Sequence, residues 1–274
     1  PMARTVTDAA ILLGALTGVD TYDPLSPKSE KHLHSDYTQF LNGDGLQGAR
    51  IGVVTDFYGF DPNVDRVLNR QHNLMIDHGA ELIKVECAKN RKKWGDAEWT
   101  VLLYELKHDM NKYLSEHHNS KLKTLADIVE FNKANADTEM PWFGQEIFLE
   151  AETKGSLDDK EYKDALRISK ELSQQAVDKT IEENDLDALI APTNAPAWTI
   201  DWVNGDHFIG GSSDMAAVSG YPSVTVPAGF VHGLPIGISF FGKAWSEPTL
   251  LKLAYAYEQQ SLHRRKPSFI HSIR

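Results

Sequence analysis

The sequence contains a single cysteine, Cys87, and no long hydrophobic run. One cysteine excludes an intrachain disulfide, which is typical of proteins in a reducing compartment, so we expect a cytoplasmic protein. The longest apolar runs, at residues 9–13 and 186–191, are far shorter than the roughly 20 residues of a membrane-spanning helix. Basic residues are also scarce, since the formal net charge is −11. We therefore expect neither a membrane nor a nucleic acid as a partner.

Several catalytic and cofactor motifs are missing as well. No Gly-x-Ser-x-Gly elbow is present, and the glycines after the first predicted strand do not form a dinucleotide-binding turn. Two histidine pairs, His32 with His34 and His117 with His118, lack cysteines or carboxylates at zinc-binding spacing. We therefore expect no metal site and no cofactor.

Hydrophobic periodicity predicts alternating strands and helices. Strands are predicted over residues 50–55, 81–86, 186–192, 223–226 and 236–241. Helices are predicted over residues 5–16, 61–79, 94–118, 124–134, 143–154, 158–184 and 247–260. The first strand, helix and strand form a βαβ unit, which indicates an α/β fold. Because no segment has the composition of a linker, we expect a single domain over residues 1–274.

The segment Gly210-Gly211-Ser212-Ser213-Asp214 allows two interpretations. Either serine could be a nucleophile, with the glycine N–H groups stabilising an oxyanion, but a serine needs a base and none lies nearby in the sequence. Alternatively, Ser213 is the N-cap of a short helix that Gly220 ends, with Asp214 in its first turn. We favour the cap. The residues taken alone do not assemble an active site.

Seven segments, in order along the chain, resemble the amidase signature family. They are PMARTVTDAA (1–10), GARIGV (48–53), FGQE (143–146), DALIAPT (187–193), AVSGYP (217–222), VPAG (226–229) and LPIGISFFG (234–242). The resemblance covers essentially the whole chain, and collinear motifs are more specific than any single one. The Gly-Gly-Ser-Ser and Phe-Gly-Gln-Glu segments are most similar to the peptide-amidase and acylamidase branch.

This resemblance implies a fold and a mechanism. The fold would be the C-terminal part of an αβα sandwich, with a mixed β-sheet covered by helices. Amidase signature enzymes use a serine nucleophile, a second serine in a cis peptide linkage and an unprotonated lysine. All three lie upstream of the segment that Pro1 begins, so we expect no catalytic residue in this chain and no activity from it alone.

The resemblance also suggests residues that face the substrate, although each could instead have a purely structural role. Trp142 and Phe143, for example, could be core aromatics, and Pro192 could simply end a strand. The candidates for the substrate pocket are Trp142, Gln145, Thr193, Asn194, Trp198, Ser213 and Asp214.

The expected function is that of an amidase acting on a small-molecule or peptide amide through an acyl-enzyme. Two alternatives stay open: the glutamyl-tRNA-amidating component of an amidotransferase, and a non-catalytic binding or assembly module that a separate N-terminal chain completes. A partial sheet would leave strand edges and apolar surface exposed, so we also expect a homodimer or a strand-exchanged assembly.

Overall fold

The computed structural model describes residues 1–117 and 121–269, which divide into two compact units. The sheet unit comprises Pro1–Lys89, Gln174–Ile200 and the described part of Asp206–Arg274, and the helical unit comprises Asn90–Ser173 and Asp201–Gly205. This division alone does not decide the number of folding domains, so the single domain over residues 1–274 stays a prediction.

The sheet unit contains a mixed five-stranded sheet. Its strands are β1 (Arg50–Val54), β2 (Glu81–Val85), β3 (Ala188–Pro192), β4 (Ser223–Val231) and β5 (Leu234–Phe241), in the spatial order β2-β1-β3-β5-β4. β1 runs parallel to β2 and β3, and β5 runs antiparallel to β3 and β4. The predicted α/β class with a mixed sheet is confirmed.

Nine α-helices occur in the part of the chain that the structure describes. They are α1 (Val6–Leu16), α2 (Pro62–Asp77), α3 (Arg91–Glu116), α4 (Leu125–Ala134), α5 (Ala136–Glu139), α6 (Glu146–Glu152), α7 (Lys160–Asn184), α8 (Ser213–Ser219) and α9 (Glu247–Ser261). Short 3-10 turns are present at Ser26–Ser29, Thr38–Phe40 and Thr55–Phe57. Among the described residues, no helix has the length and apolar character needed to cross a membrane.

The cap residues explain why the first two helices begin where they do. Thr5 Oγ1 accepts a hydrogen bond from the Asp8 N–H at 3.0 Å, which satisfies a donor of the first turn of α1. At α2 the Asp61 carboxylate accepts from Asn63 N–H at 2.7 Å, and Pro62 occupies the first helical position. Both helix starts agree with the sequence prediction to within one residue.

One large core lies between the sheet, α1, α2 and α9. Inward residues of the strands, such as Ile51 and Ile190, are fully buried in it, and the rings of Phe240 and Tyr257 lie 5.7 Å apart. β3 is buried along its whole length, as expected for a strand with neighbours on both sides and both faces covered.

The β4–β5 hairpin differs from the prediction. The sequence predicts a strand that ends at Val226, followed by a loop containing Gly229, but β4 continues to Val231. Gly229 instead lies at a bulge within the strand, where its φ is 147°. The turn is formed by His232 and Gly233, with φ of 49° and 81°, the positive values that a two-residue type I′ hairpin requires.

The helical unit is held by smaller clusters and by local polar contacts. Leu103, Leu125 and Ala151 form one buried cluster. α4 begins with a reciprocal capping box between Thr124 and Asp127. The predicted helix over 143–154 is shorter in the structure, since α6 starts at Glu146, and the end of the helix predicted at residue 118 lies outside the described residues.

Candidate functional site

The glycine-serine segment is attached to the end of β3. The buried Ser212 hydroxyl donates a hydrogen bond to the Pro192 carbonyl at 2.7 Å, and Ser212 N–H donates to Thr193 O at 3.3 Å. Asn194 and Gly211 form an antiparallel bridge, which Ala195 N–H extends with a 2.9 Å bond to the Gly210 carbonyl. The segment therefore continues the sheet locally beyond the carboxyl end of β3, where α/β proteins tend to collect their sites.

Close packing explains the two glycines. A Cβ atom on Gly210 would lie 2.5 Å from the ring of Phe60, and one on Gly211 would lie 3.1 Å from Asn194 Oδ1. A side chain at Gly210 would force the Phe60 ring to move. Close packing therefore favours glycine at both positions, without an oxyanion to explain it.

The two serines have different surroundings from those that the cap interpretation predicts. Ser213 is the first residue of α8 and is exposed, so its assignment as the N-cap is wrong by one position. Ser212 occupies the cap position, but its hydroxyl is already donated to Pro192 and makes no cap bond. The predicted end of the helix is confirmed, since Gly220 is left-handed with φ of 72° and its N–H donates to Ala216 O.

Neither serine has an activating base. The hydrogen bond of Ser212 goes to a backbone carbonyl, and no described histidine, lysine or carboxylate forms a hydrogen bond with the Ser213 hydroxyl. Without such a base a serine stays protonated and unreactive at neutral pH. The geometry therefore favours the structural interpretation of this segment over the nucleophilic one.

A row of three hydroxyl groups lies beside this segment, which sequence reasoning does not find. Ser239 Oγ lies 2.8 Å from Thr193 Oγ1 and 3.0 Å from Thr225 Oγ1, across β3, β5 and β4. Gly237 leaves room for Thr193, because a Cβ there would lie 2.7 Å from Thr193 Oγ1. The only signal in the sequence is that Thr225 and Ser239 interrupt otherwise apolar strands; their pairing depends on strand register.

Asp214 and Cys87 are electrostatically coupled in the same unit. Burial raises the pKa of the Cys87 thiol to about 12, and the carboxylates of Asp56 and Asp214 add to the effect. Asp56 also accepts a hydrogen bond from Cys87 N–H at 2.9 Å. A thiol that stays protonated is a poor nucleophile, so Cys87 is a buried apolar group.

Trp198 is held on the loop between β3 and α8. Its indole Nε1–H donates to Asp206 Oδ1 at 3.1 Å, and its ring meets Phe208 edge to face with centroids 6.2 Å apart. The side chain is half-buried. A partner for the N–H and a packed ring fix the orientation of this tryptophan within the sheet unit.

The remaining candidates, Trp142 and Gln145, lie in the helical unit. Trp142 is 62% exposed and stacks on Trp202 with ring centroids 5.0 Å apart, and the 60% exposed Phe143 contacts the same ring. These three rings, which we call the aromatic cluster, are not core residues. Gln145 donates to Val129 O and accepts from the Asn132 amide, both at 3.1 Å, so its side chain braces α4.

The histidine pairs do not form a metal centre in the described part of the chain. No group of three histidine, cysteine, aspartate or glutamate residues is placed there to hold an ion. His32 stacks on Trp245 at 4.3 Å, and His34 packs edge-on against Phe40. His118 lies outside the described residues.

Comparisons by sequence and by structure both match this chain to amidases. The family model named Amidase matches residues 1–251. A probable amidase of Arabidopsis thaliana is 36% identical, over 98% of this chain and 49% of the relative. The native peptide amidase of Stenotrophomonas maltophilia superposes with a TM-score of 0.88 at 39% identity, covering 98% of this chain and 54% of that structure. A glutamyl-tRNA(Gln) amidotransferase component from Caldanaerobacter subterraneus is 28% identical, over 98% of this chain and 56% of the relative. The chain therefore spans about half the length of the curated relatives that it matches.

Proposed function

Because the chain belongs to the amidase family, we propose that the protein containing it hydrolyses the C–N bond of a linear amide and releases ammonia or an amine. In the proposed mechanism a serine oxygen attacks the amide carbonyl carbon, while its proton passes through the bridging serine to the unprotonated lysine. The proton then goes to the leaving nitrogen as the C–N bond breaks. Water finally hydrolyses the acyl-enzyme to a carboxylic acid.

We assign this chain a supporting part in that reaction. The observation that carries this assignment is the attachment of the glycine-serine segment to β3, in which the hydroxyl of Ser212 is donated to Pro192. In this proposal the serine, bridging serine and lysine lie upstream of Pro1. Within the sheet unit, Thr193, Asn194, Trp198, Ser213 and Asp214 are the proposed substrate-facing residues. Within the helical unit, considered by itself, these are Trp142 and Gln145.

Ammonia release from a simple carboxamide such as N-benzoylglycinamide tests this division of roles. The 274-residue chain should release no ammonia, whereas the same chain extended by its upstream segment should. Ser213→Ala should leave the kcat of the extended protein within about a factor of two, as expected for a pocket side chain that moves no proton. One result would restore the nucleophile hypothesis: the 274-residue chain releases ammonia, and Ser213→Ala abolishes this activity. The control variant Ser156→Ala, at an exposed serine, should then retain the activity.

We further propose a peptide amide, or an amide with an aromatic acyl group, as the substrate class. The aromatic cluster offers rings that are half exposed or more yet held in place by stacking, which suits an apolar side chain of a substrate. In the extended protein, Trp142→Ala should raise KM for N-benzoylated amides several-fold with little change in kcat. Trp99→Ala is the matched control, because Trp99 is an exposed tryptophan of the same unit outside the cluster. Equal effects of the two variants would contradict this assignment.

A second candidate function is amidation of glutamyl-tRNA, which is favoured by the similarity to the amidotransferase component. The net charge of −11 disfavours a tRNA partner. Transfer of ammonia to glutamyl-tRNA by the extended protein, together with its partner chains, would support this function over amide hydrolysis. A third possibility, a non-catalytic assembly module, would be supported if the extended protein turned over neither substrate.

We also propose that the chain self-associates through β4. This strand is an edge of the described sheet, and its residues Ser223–Pro227 line an open cavity of about 830 Å³ together with Met2 and Val6. Unpaired strand edges favour pairing with another chain. Light scattering should detect dimers of the 274-residue chain, and Thr225→Pro should reduce them. A monomer at high concentration would contradict the proposal.

A further inference from the structure

A second cavity lies in the sheet unit, and its lining includes no residue of the glycine-serine segment. Its volume is about 490 Å³, within the range of small-molecule sites. It is lined by one face of α2 and by residues of the paired parallel strands β1 and β2, in which Val53 lies opposite Lys84.

A hydrogen-bonded pair forms one wall of the cavity. The phenol oxygen of Tyr58 lies 3.0 Å from His72 Nε2. Burial raises the pKa of Tyr58, with a further contribution from the Asp65 carboxylate, so the phenol stays protonated. Burial and, to a smaller extent, the positive charge of Lys84 lower the pKa of His72 to about 4, so the imidazole is neutral at pH 7. Both groups are therefore neutral at pH 7, and one donates to the other across this 3.0 Å contact.

The unengaged side-chain groups of the lining are mainly donors. The Lys84 ammonium and the amides of Asn69 and Asn73 have no hydrogen bond or ion pair with a described residue, and neither has His72 Nδ1. The one carboxylate among the described lining residues, Asp65, is already engaged by the N–H of Gly59 at 3.1 Å. A cation among neutral donors suits a ligand with one negative charge.

The rest of the lining limits what such an anion can be. The Asp65 carboxylate repels a second negative charge, which disfavours phosphates and dicarboxylates. Val53, Ile76 and Leu82 supply apolar surface, which suits a short hydrocarbon or aromatic body. We propose that this cavity binds a small monocarboxylate, with Lys84, His72 Nδ1 and the asparagine amides around the carboxylate and the aliphatic side chains around its apolar body.

The proposal can be tested by binding of 4-fluorobenzoate to the 274-residue chain, followed by fluorine NMR. Lys84→Met removes the charge from an exposed side chain without shortening it, and should weaken binding by about two- to fivefold, because solvent screens an exposed ion pair. Lys28→Met, at an exposed lysine of the same unit outside the cavity, should leave binding unchanged. The neutral analogue 4-fluorobenzamide should bind much more weakly than the benzoate.

A second measurement locates the site independently. In protein labelled with ¹⁵N-histidine, 4-fluorobenzoate should shift the His72 Nδ1 resonance, and Tyr58→Phe should reduce both this shift and the affinity, because the ring loses the partner that orients it. Absence of benzoate binding, equal affinity in Lys84→Met, or benzamide binding as tightly as benzoate would overturn the proposal. Because these are binding measurements, their outcome is independent of whether the protein hydrolyses amides.

Discussion

The sheet unit and the helical unit are stabilised by different kinds of contact. In the sheet unit, one continuous cluster joins residues far apart in the chain, such as Ile51, Ile190 and Tyr257. In the helical unit the described clusters are small, and many polar contacts are local, such as the i,i+4 ion pairs Lys92–Asp96 and Arg167–Glu171. Exposed ion pairs contribute little to stability. The comparison therefore indicates that burial is the main source of stability in the sheet unit, whereas caps and polar contacts matter relatively more in the helical unit.

The largest effect should come from truncating the centre of the sheet core. Phe240 is fully buried and packs against Tyr257, so Phe240→Ala should lower the free energy of unfolding by about 3–5 kcal/mol. Urea unfolding followed by circular dichroism would measure this loss. Phe230→Ala, at a partly exposed phenylalanine of β4, is the matched control and should cost much less. A loss below about 1 kcal/mol for Phe240→Ala would contradict the importance of this core.

A smaller effect is expected from the equivalent change in the helical unit. Leu103→Ala removes a buried side chain from a cluster of three, and should cost about 2–3 kcal/mol, at the low end for such truncations. Hydrogen exchange followed by mass spectrometry should show faster exchange in peptides of α3, α4 and α6. If Leu103→Ala costs as much as Phe240→Ala, the two units do not differ in the way proposed here.

Acid should distinguish the units by the pH at which each weakens. The pKa of His72 is lowered to about 4 in the folded sheet unit, and that of His263 is also lowered by burial. An unfolded histidine takes up its proton near pH 6.5, so this unit should lose stability as the pH falls from about 6.5 to 4. The raised pKa of Glu258, caused mainly by burial, opposes part of that loss.

In the helical unit, the pH dependence of stability comes from carboxylates whose pKa is lower in the folded state than in the unfolded state. Hydrogen bonds from the Lys123 backbone and from the Lys163 side chain lower the pKa of Asp127 and Asp158, so their contribution is present at neutral pH and lost only below about pH 4. Unfolding midpoints measured across this range should fall in two steps. His72→Gln should remove most of the step above pH 4, and an unchanged profile in that variant would assign the step to other groups.

The smallest effects concern two residues at the starts of helices. Thr124 caps α4, so Thr124→Ala should cost about 1 kcal/mol. Ser213 makes no cap bond, so Ser213→Ala should stay within about 0.5 kcal/mol of the parent chain. Thermal unfolding of both variants checks the difference. A cost for Ser213→Ala equal to that of Thr124→Ala would support Ser213 as the cap of α8.

The glycine-serine segment illustrates how far sequence reasoning reaches in the candidate site. The sequence predicts this helix, with its N-cap one residue too late, and its end at Gly220, because αL glycine is a strong local signal. It does not predict the role of Ser212, since the partner of that hydroxyl is a carbonyl 20 residues away. The pocket role of Trp142 and Gln145 stays a prediction. In the structure, Trp142 stacks on another exposed ring, and Gln145 forms a hydrogen bond with the backbone of α4.

The sequence by itself determined the family, the α/β class and most of the helices and strands, because periodicity, caps and collinear motifs are properties of neighbouring residues. Only the tertiary structure decided the length of β4, the hydroxyl row of Thr193, Thr225 and Ser239, and the pairing of Tyr58 with His72. Each of these depends on strand register or on the packing of a helix against a sheet. Such contacts bring distant residues together, and no local pattern in the chain encodes them.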